Sequence, residues 1–188
     1  MIKNYQALKN IANIFTGYTF RTAVNPEDEG SLLILQSKNI KDNLTITDKD
    51  LTKIYYKTTR TNSFTKNNDI IISSRGSFRS AVIKSTKRIL ALSSVYILRL
   101  TNNQVLPEFL SLYLNSSRGR KNLLNITTGS TIKSILINDL GSLKIPTPSL
   151  ATQKELIKLY QNQKNHSNLL KEKLIINSNI LEGALQQL

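Results

Sequence analysis

Arg75, Gly76, Ser77 and Arg79 follow directly on the apolar run Ile70-Ile71-Ile72-Ser73-Ser74, and the chemistry this placement suits is recognition. A guanidinium offers five donors in a planar fork that matches paired acceptors on a phosphate or a base edge. A strand ending in an Arg-Gly turn displays such a side chain from a rigid support. Gly76 lets backbone approach a ligand closely, and Ser77 adds a small donor. Lys84 lies a little further along, within reach of the same turn if the chain doubles back. Two other clusters share the make-up: Tyr18, Thr19 and Arg21 after Gly17, and Ser130, Thr131 and Lys133 after Gly129.

The charge distribution says what such side chains would bind. The 188 residues carry 26 Lys+Arg against 12 Asp+Glu, a net charge of +14. Residues 1–150 hold 21 of the basic and 9 of the acidic side chains, so +12 of the charge sits there. Between residues 51 and 100 ten basic side chains face one acid, Asp69. A local cationic excess of this size predicts a polyanion, because neutralised phosphates release their counterions. The bland alternative is a solvated, lysine-favouring surface. An anionic membrane surface fits less well, since the cations lie among strands and turns and not along an amphipathic helix.

The spacings of the common catalysts are missing. Metal-dependent nucleases of the usual type place a carboxylate two residues before a lysine, and none of the 18 lysines has Asp or Glu there. A base-amino methyltransferase would need an Asn/Asp-Pro-Pro-aromatic loop and a glycine-rich cofactor turn. Asn25-Pro26-Glu27-Asp28 comes nearest and lacks the second proline and the aromatic. No Gly-Lys-Ser/Thr occurs, so there is no Walker lysine. Absence of cysteine removes disulfides, thiolate nucleophiles and Cys-based zinc sites. The single histidine, His166, lies in a helical stretch beside Lys164 and Asn165, which leaves little for Ser–His–acid chemistry. Glu27, Asp28 and Glu29 read as solvated turn residues. The expectation is a non-catalytic chain with no metal and no cofactor.

The elements that would position the recognition residues are strands for the first 150 residues. Leu32-Leu33-Ile34-Leu35, Asp69–Ser74 and Ser94–Leu100 read as strands, the last rich in β-branched and aromatic residues. Pro107 suits the first position of a helix with an apolar face through Phe109, Leu112 and Tyr113, and a second short helix is expected over 118–126. Gly129-Ser130-Thr131 breaks it. Ile145-Pro146-Thr147-Pro148 reads as an extended hinge, because each proline disfavours helix in the residue before it.

Beyond the hinge the character changes. From Ser149 to Leu188 there is no proline, and the spacing Thr152-x-x-Glu155 predicts a capping box. A heptad seam with alternating steps of four and three runs Leu156, Tyr160, Gln163, Ser167, Leu170, Leu174, Asn177, Leu181, Ala184, Leu188. Leu169, Ile176 and Ile180 widen it. Asn177 on the seam would fix register at some cost in stability. A helix of this length is expected to find another chain, with folding back onto its own domain as the competing reading. The fold class expected is therefore α+β: a strand-rich domain with short helices over 1–148, followed by one long coiled-coil helix over 149–188. Neither a stretch of ~18 apolar residues nor an apolar leader in MIKNYQALKN is present, so no membrane partner and a cytoplasmic location are expected.

The order of these features resembles a type I restriction–modification DNA specificity subunit. The residues that carry the resemblance are Ala7–Ile14 leading to Gly17-Tyr18-Thr19-Phe20, then Leu35–Ile40, Asn68–Gly76 and Thr128–Ile135. Leu143-Lys144-Ile145-Pro146-Thr147-Pro148-Ser149-Leu150-Ala151-Thr152-Gln153 closes the set before the long helix. The resemblance implies a target-recognition domain that reads half of a bipartite site in double-stranded DNA. It also implies partners: a separate adenine methyltransferase subunit and a separate translocating endonuclease subunit. The family's usual chain has two domain-plus-helix repeats and this sequence has one. That implies a second copy joined by antiparallel helix pairing through Leu170, Leu174, Asn177, Leu181 and Leu188, or pairing with another half-subunit. In this reading Arg75, Gly76, Ser77, Arg79 and Lys84, then Tyr18, Thr19, Arg21, Ser130, Thr131 and Lys133, are the DNA-binding residues. A stand-alone nucleic-acid-binding regulator dimerised by its helix is the alternative.

Overall fold

The computed structural model describes residues 4–21, 25–41, 43–57 and 62–186. The chain divides into two units, Met1–Leu150 and Ala151–Leu188. In chain order the first carries β1 (Tyr5–Ala7), α1 (Leu8–Ile11), β2 (Ala12–Thr16), β3 (Leu32–Leu35), β4 (Thr45–Ile46), β5 (Thr52–Ile54), β6 (Ile70–Ser73), β7 (Ser80–Ile83), β8 (Ile89–Ala91) and β9 (Val95–Leu100). It continues with α2 (Pro107–Asn115), α3 (Ser117–Asn125), β10 (Thr127–Thr128), β11 (Ser134–Ile135), α4 (Ile137–Ser142) and β12 (Lys144–Pro146), and α5 (Leu150–Leu185) follows. The fold is α+β, strand-rich with short helices and one long C-terminal helix.

The apolar run of β3 is buried along its whole length because both its faces are covered. Leu33 and Leu35 join Ile71, Ala81, Ile83, Ile89, Val95 and Ile97 in one core cluster. Leu32 and Ile34 point the other way, as the two-residue period of a strand requires, and pack with Ile54 and Leu90. β3 is the centre of a three-stranded sheet, antiparallel to β5 and parallel to β8. The second sheet has the order β2-β9-β6-β7-β4, with β4 parallel to β7 and the other pairs antiparallel. β6 lies inside it, and Ile70, Ile71 and Ile72 are fully buried. The first core cluster is thus the filling between two sheets.

Pro107 occupies the first position of α2, where its missing N–H costs nothing. α2 turns Phe109, Leu110, Tyr113 and Leu114 inward. It is tied to β7 by the Asn115 side chain, which accepts from Ser80 N (2.9 Å) and donates to Ser80 O (2.8 Å). α3 begins after Ser116, whose Oγ accepts from Gly119 N at 3.1 Å.

Asp69, the lone acid of the 51–100 stretch, is 2 % exposed. Its carboxylate takes both arms of Arg99, from Nε at 2.9 Å and Nη2 at 2.7 Å, and the N–H of Lys66 at 2.7 Å. Arg99 also donates to Phe64 O and lies 5.0 Å from the Phe15 ring centroid. The clamp joins the start of β6 to the end of β9 and to the loop before it.

Two expectations at the end of this unit change. Ile145 and Pro146 are extended as predicted, but the segment is a strand and not a hinge. β12 pairs antiparallel with β1, Ile145 is fully buried, and Thr147 N donates to Asn4 O at 2.8 Å. The partner lies some 140 residues earlier in the chain, so local sequence carries no trace of it. The long helix begins at Leu150, so Thr152 sits inside its first turn and not at its cap. Pro148 is the last residue that opposes helix, and the turn forms as soon as the chain is past it.

α5 is a single helix of 36 residues, about 54 Å long at ~1.5 Å per residue. Leu156, Leu170, Leu174, Leu181 and the flanking Leu169, Ile176 and Ile180 are exposed, Leu174 by 69 %. Asn177 is exposed on the same seam, and Leu188 lies outside the described residues. No helix among the described residues is long and apolar enough to cross a membrane.

Candidate nucleic-acid interface

The loops that follow β2, β3, β6 and β8 meet at one end of the first unit, where β9 begins. The centre is the turn Leu92-Ser93-Ser94. Tyr18 N donates to Ala91 O (2.7 Å), and Ser93 N donates back to Tyr18 O (2.8 Å). Ser94 Oγ accepts from Ser37 N at 3.0 Å, which brings in the loop after β3. Ser74 N donates to Ser94 O (2.9 Å) and Ser74 Oγ to Ser93 O (3.2 Å), which brings in the loop after β6. Ser74 O then accepts from Ile135 N (3.1 Å), and Gly76 N donates to Lys133 O (3.0 Å). Each clasp satisfies backbone groups that a loop would otherwise leave to solvent, so the loops hold one arrangement.

These clasps gather residues spread over more than 110 positions of sequence. Arg75, Gly76 and Ser77 stand beside Ser130, Thr131 and Lys133, all of them exposed, with Arg75 bridged to Ser134. Thr19 and Arg21 are exposed in the loop after β2, next in line through Tyr18. Residues 22–24 lie outside the described residues. Tyr18 itself is half-buried, 5.0 Å from the Phe20 ring centroid and 5.7 Å from that of Tyr56. Its hydroxyl is 2.5 Å from the Tyr56 hydroxyl, and this hydrogen bond raises the Tyr56 phenol above its ordinary value.

The Arg75 turn is rigid for local reasons. Gly76 has φ of +75° and no atom within 4 Å of where a Cβ would stand, so it turns the chain while leaving its outer side open. Phe78 also has positive φ, +44°, a strained position held because its ring is buried to 2 % exposure. Arg79 is half-buried, with its N–H on Ser73 Oγ at 3.0 Å. A cavity of about 340 Å³ opens beside Arg75, lined also by Ser93, Tyr96, Ile132, Ser134 and Leu136. Tyr96 donates from its hydroxyl to Ile135 O at 2.8 Å. Burial pushes that phenol up, against an opposing pull from Arg75, so it remains a proton donor.

Lys84 is not part of this end. It follows β7, five residues and roughly 17 Å along the strand from Arg79. There it is paired with Glu108 at 2.5 Å and donates to Asn68 Oδ1 at 2.8 Å. Lys87 pairs with Asp48 at 2.5 Å, and its hydrogen bond holds the Asp48 carboxyl below the usual range. With Arg99 on Asp69, and Lys53 donating to Asp28 O at 2.9 Å, several cations of the 51–100 stretch have internal partners. Sequence distance hid those acids and carbonyls. Arg60 lies outside the described residues. Lys84, Lys87 and Arg99 are thus taken up by acids, while Arg75, Lys133 and Arg21 are exposed at the loop end.

The Ser93–Ser94 turn escaped the sequence reading, although it organises the interface. The one signal was two small hydroxyl residues immediately before a strongly apolar strand. Among the described residues no group of three or more His, Asp or Glu could hold a metal ion.

The family described as the type I restriction modification DNA specificity domain matches residues 3–179. No curated protein matches the chain by sequence. Among solved structures, the HsdS subunit from Thermoanaerobacter tengcongensis is similar with 18 % identity and a TM-score of 0.66, over 90 % of this chain and 39 % of that one. A chain described under complex assembly and conformational transition of the type I R-M system is similar with 20 % identity and a TM-score of 0.68, over 90 % and 40 %. The type I restriction-modification system S subunit from M. genitalium gives 18 % identity and a TM-score of 0.59, over 90 % and 41 %. The chain thus spans about two fifths of the length of the structures it matches.

Proposed function

The chain belongs to the type I restriction modification DNA specificity domain family, and on that premise we propose that residues 1–148 read one half of a bipartite double-stranded DNA site. The observation that carries this is the gathering of three separate loops: those bearing Arg75 and Arg21 clasp the Ser93–Ser94 turn, and the one bearing Lys133 docks on the Arg75 loop. Arg75 presents its fork to paired acceptors on a base edge, as arginine does to guanine in the major groove. Lys133 and Arg21 hold phosphates and set register. The chain itself makes and breaks no bond. It positions DNA for a separate adenine methyltransferase subunit and a separate endonuclease subunit.

Residues 149–188 form the docking helix. A seam with steps of four and three along about 54 Å of α5, carrying exposed Leu156, Leu170, Leu174 and Leu181, suits a second helix of the same kind, the one from a second copy lying antiparallel about a two-fold axis. The DNA read by such a dimer is an inverted repeat.

Two measurements test the two surfaces separately. Arg75→Ala should weaken binding to the cognate duplex by ~1–3 kcal/mol and relax selection at one base pair, while Lys133→Ala should weaken all duplexes alike and reduce the salt slope by about one. Identical sequence profiles for both variants would refute the assignment. The double variant Leu174→Glu, Leu181→Glu should weaken self-association by roughly 100-fold or more, since each leucine contributes ~1.5 kcal/mol or more on burial. Light scattering after size exclusion reads this, and an unchanged dimer would sink the helical interface. A chain that binds DNA but captures no methyltransferase subunit would favour the stand-alone regulator.

A further inference from the structure

Ile132 and Leu136 are large aliphatic side chains that the fold leaves in water, 65 % and 54 % exposed, beside the loops that carry Arg75 and Lys133. Both line the cavity of about 340 Å³ that Arg75 borders, together with the hydroxyls of Ser93 and Ser134. Ile132 is held firmly. The β10–β11 hairpin that carries it turns at Gly129, where φ is +94° and a Cβ would lie 2.6 Å from Ile132 O. The Gly76 N to Lys133 O bond and the Arg75–Ser134 bridge fix its other side. An aliphatic group held rigidly in solvent next to a guanidinium fork faces a partner whose surface alternates polar edges and methyl groups. The major groove is such a surface: guanine shows two acceptors, and thymine shows one acceptor and a C5-methyl.

We propose that Ile132, backed by Leu136, makes an apolar contact with the C5-methyl of a thymine adjoining the base pair that Arg75 reads. The inference rests on the DNA-reading function above and adds a base identity to it. Arg75 supplies the hydrogen bonds, and Ile132 supplies a contact that only a methylated pyrimidine edge can return. Charge selects the occupant, since Arg75 lines the groove, Lys133 follows Ile132 in the chain, and among the described residues no acidic side chain lines it.

The test uses the full chain and the duplex it selects from a random pool. Each thymine of that duplex is replaced in turn by deoxyuridine, which removes the methyl and leaves every hydrogen-bonding group. The wild-type chain should lose about fourfold in affinity at one position, the size of one buried methyl group. Ile132→Ala should bind the thymine duplex about that much more weakly and lose nothing further on uracil. Thermal unfolding of the variant should match the wild type, because Ile132 contributes little to the core. A selected site without thymine, or equal sensitivity to uracil in both proteins, overturns the proposal while leaving DNA reading intact. Unchanged duplex affinity with weakened capture of a methyltransferase subunit assigns the patch to protein docking and overturns it as well. Absence of any sequence preference in the wild type would instead refute the underlying function.

Discussion

Asp69→Ala should cost about 3–5 kcal/mol of folding stability, the range for removing one member of a buried ion pair. The carboxylate is 2 % exposed and serves three donors at once: Arg99 Nε, Arg99 Nη2 and the N–H of Lys66. Alanine leaves the half-buried guanidinium, among the described residues, with the Phe64 carbonyl as its hydrogen-bond acceptor and takes the carboxylate away from the Lys66 N–H. The cost falls on the unpaired groups, so Asp69→Ala with Arg99→Met should recover a large part of it. Urea unfolding of the full chain and both variants measures the difference. A loss under 1 kcal/mol for the single variant would show that the clamp is replaceable by water. The distinction bears on function, because β6, whose start is clamped, carries the Arg75 turn at its far end.

Gly17→Ala should be nearly as damaging, by about 3 kcal/mol, the upper part of the range for overfilling a packed site. A Cβ there would stand 1.9 Å from Leu92 O and 2.9 Å from Ala91 O. The obstacle is backbone on both counts, so no side chain can swing aside. The chain after β2 would have to lift off β8, taking with it the Tyr18 N to Ala91 O and Ser93 N to Tyr18 O bonds. Two readouts are expected together: a lower unfolding midpoint, and weakened sequence discrimination because the Ser93–Ser94 turn loses one of its clasps. If discrimination stayed whole while stability fell, the Tyr18 loop would not belong to the recognition surface.

Some of this architecture was legible in the residues and some was not, for definite reasons. The runs Leu32–Leu35 and Ile70–Ser73 announced strands because both faces of each are covered and the pattern is unbroken. Pro107 announced α2 because its geometry suits a helix start. β7, β8 and β12 were missed or misread. They are three or four residues long, and what makes them strands is pairing with partners far away in sequence, as Ile145 shows with Gln6. The same holds for charge. Lys84 looked free because Glu108 is 24 positions away, yet folding brings the two to 2.5 Å. For the interface, residue type pointed to the Arg75, Ser130 and Tyr18 loops separately, since Arg, Lys, Gly and Ser are the chemistry of recognition. Their meeting through Ser93 and Ser94 depends on strand order, and no local spacing encodes strand order.

The pairing of β1 with β12 has a consequence for how such a protein can change. Thr147 N rests on Asn4 O at 2.8 Å, so the backbone comes into the first unit and leaves it through one doorway. A cassette with adjacent ends can be spliced into or out of a host chain with almost no connecting length and little loop-closure entropy. New target preferences can then arrive by trading whole cassettes in one recombination step, without passing through a series of half-specific intermediates.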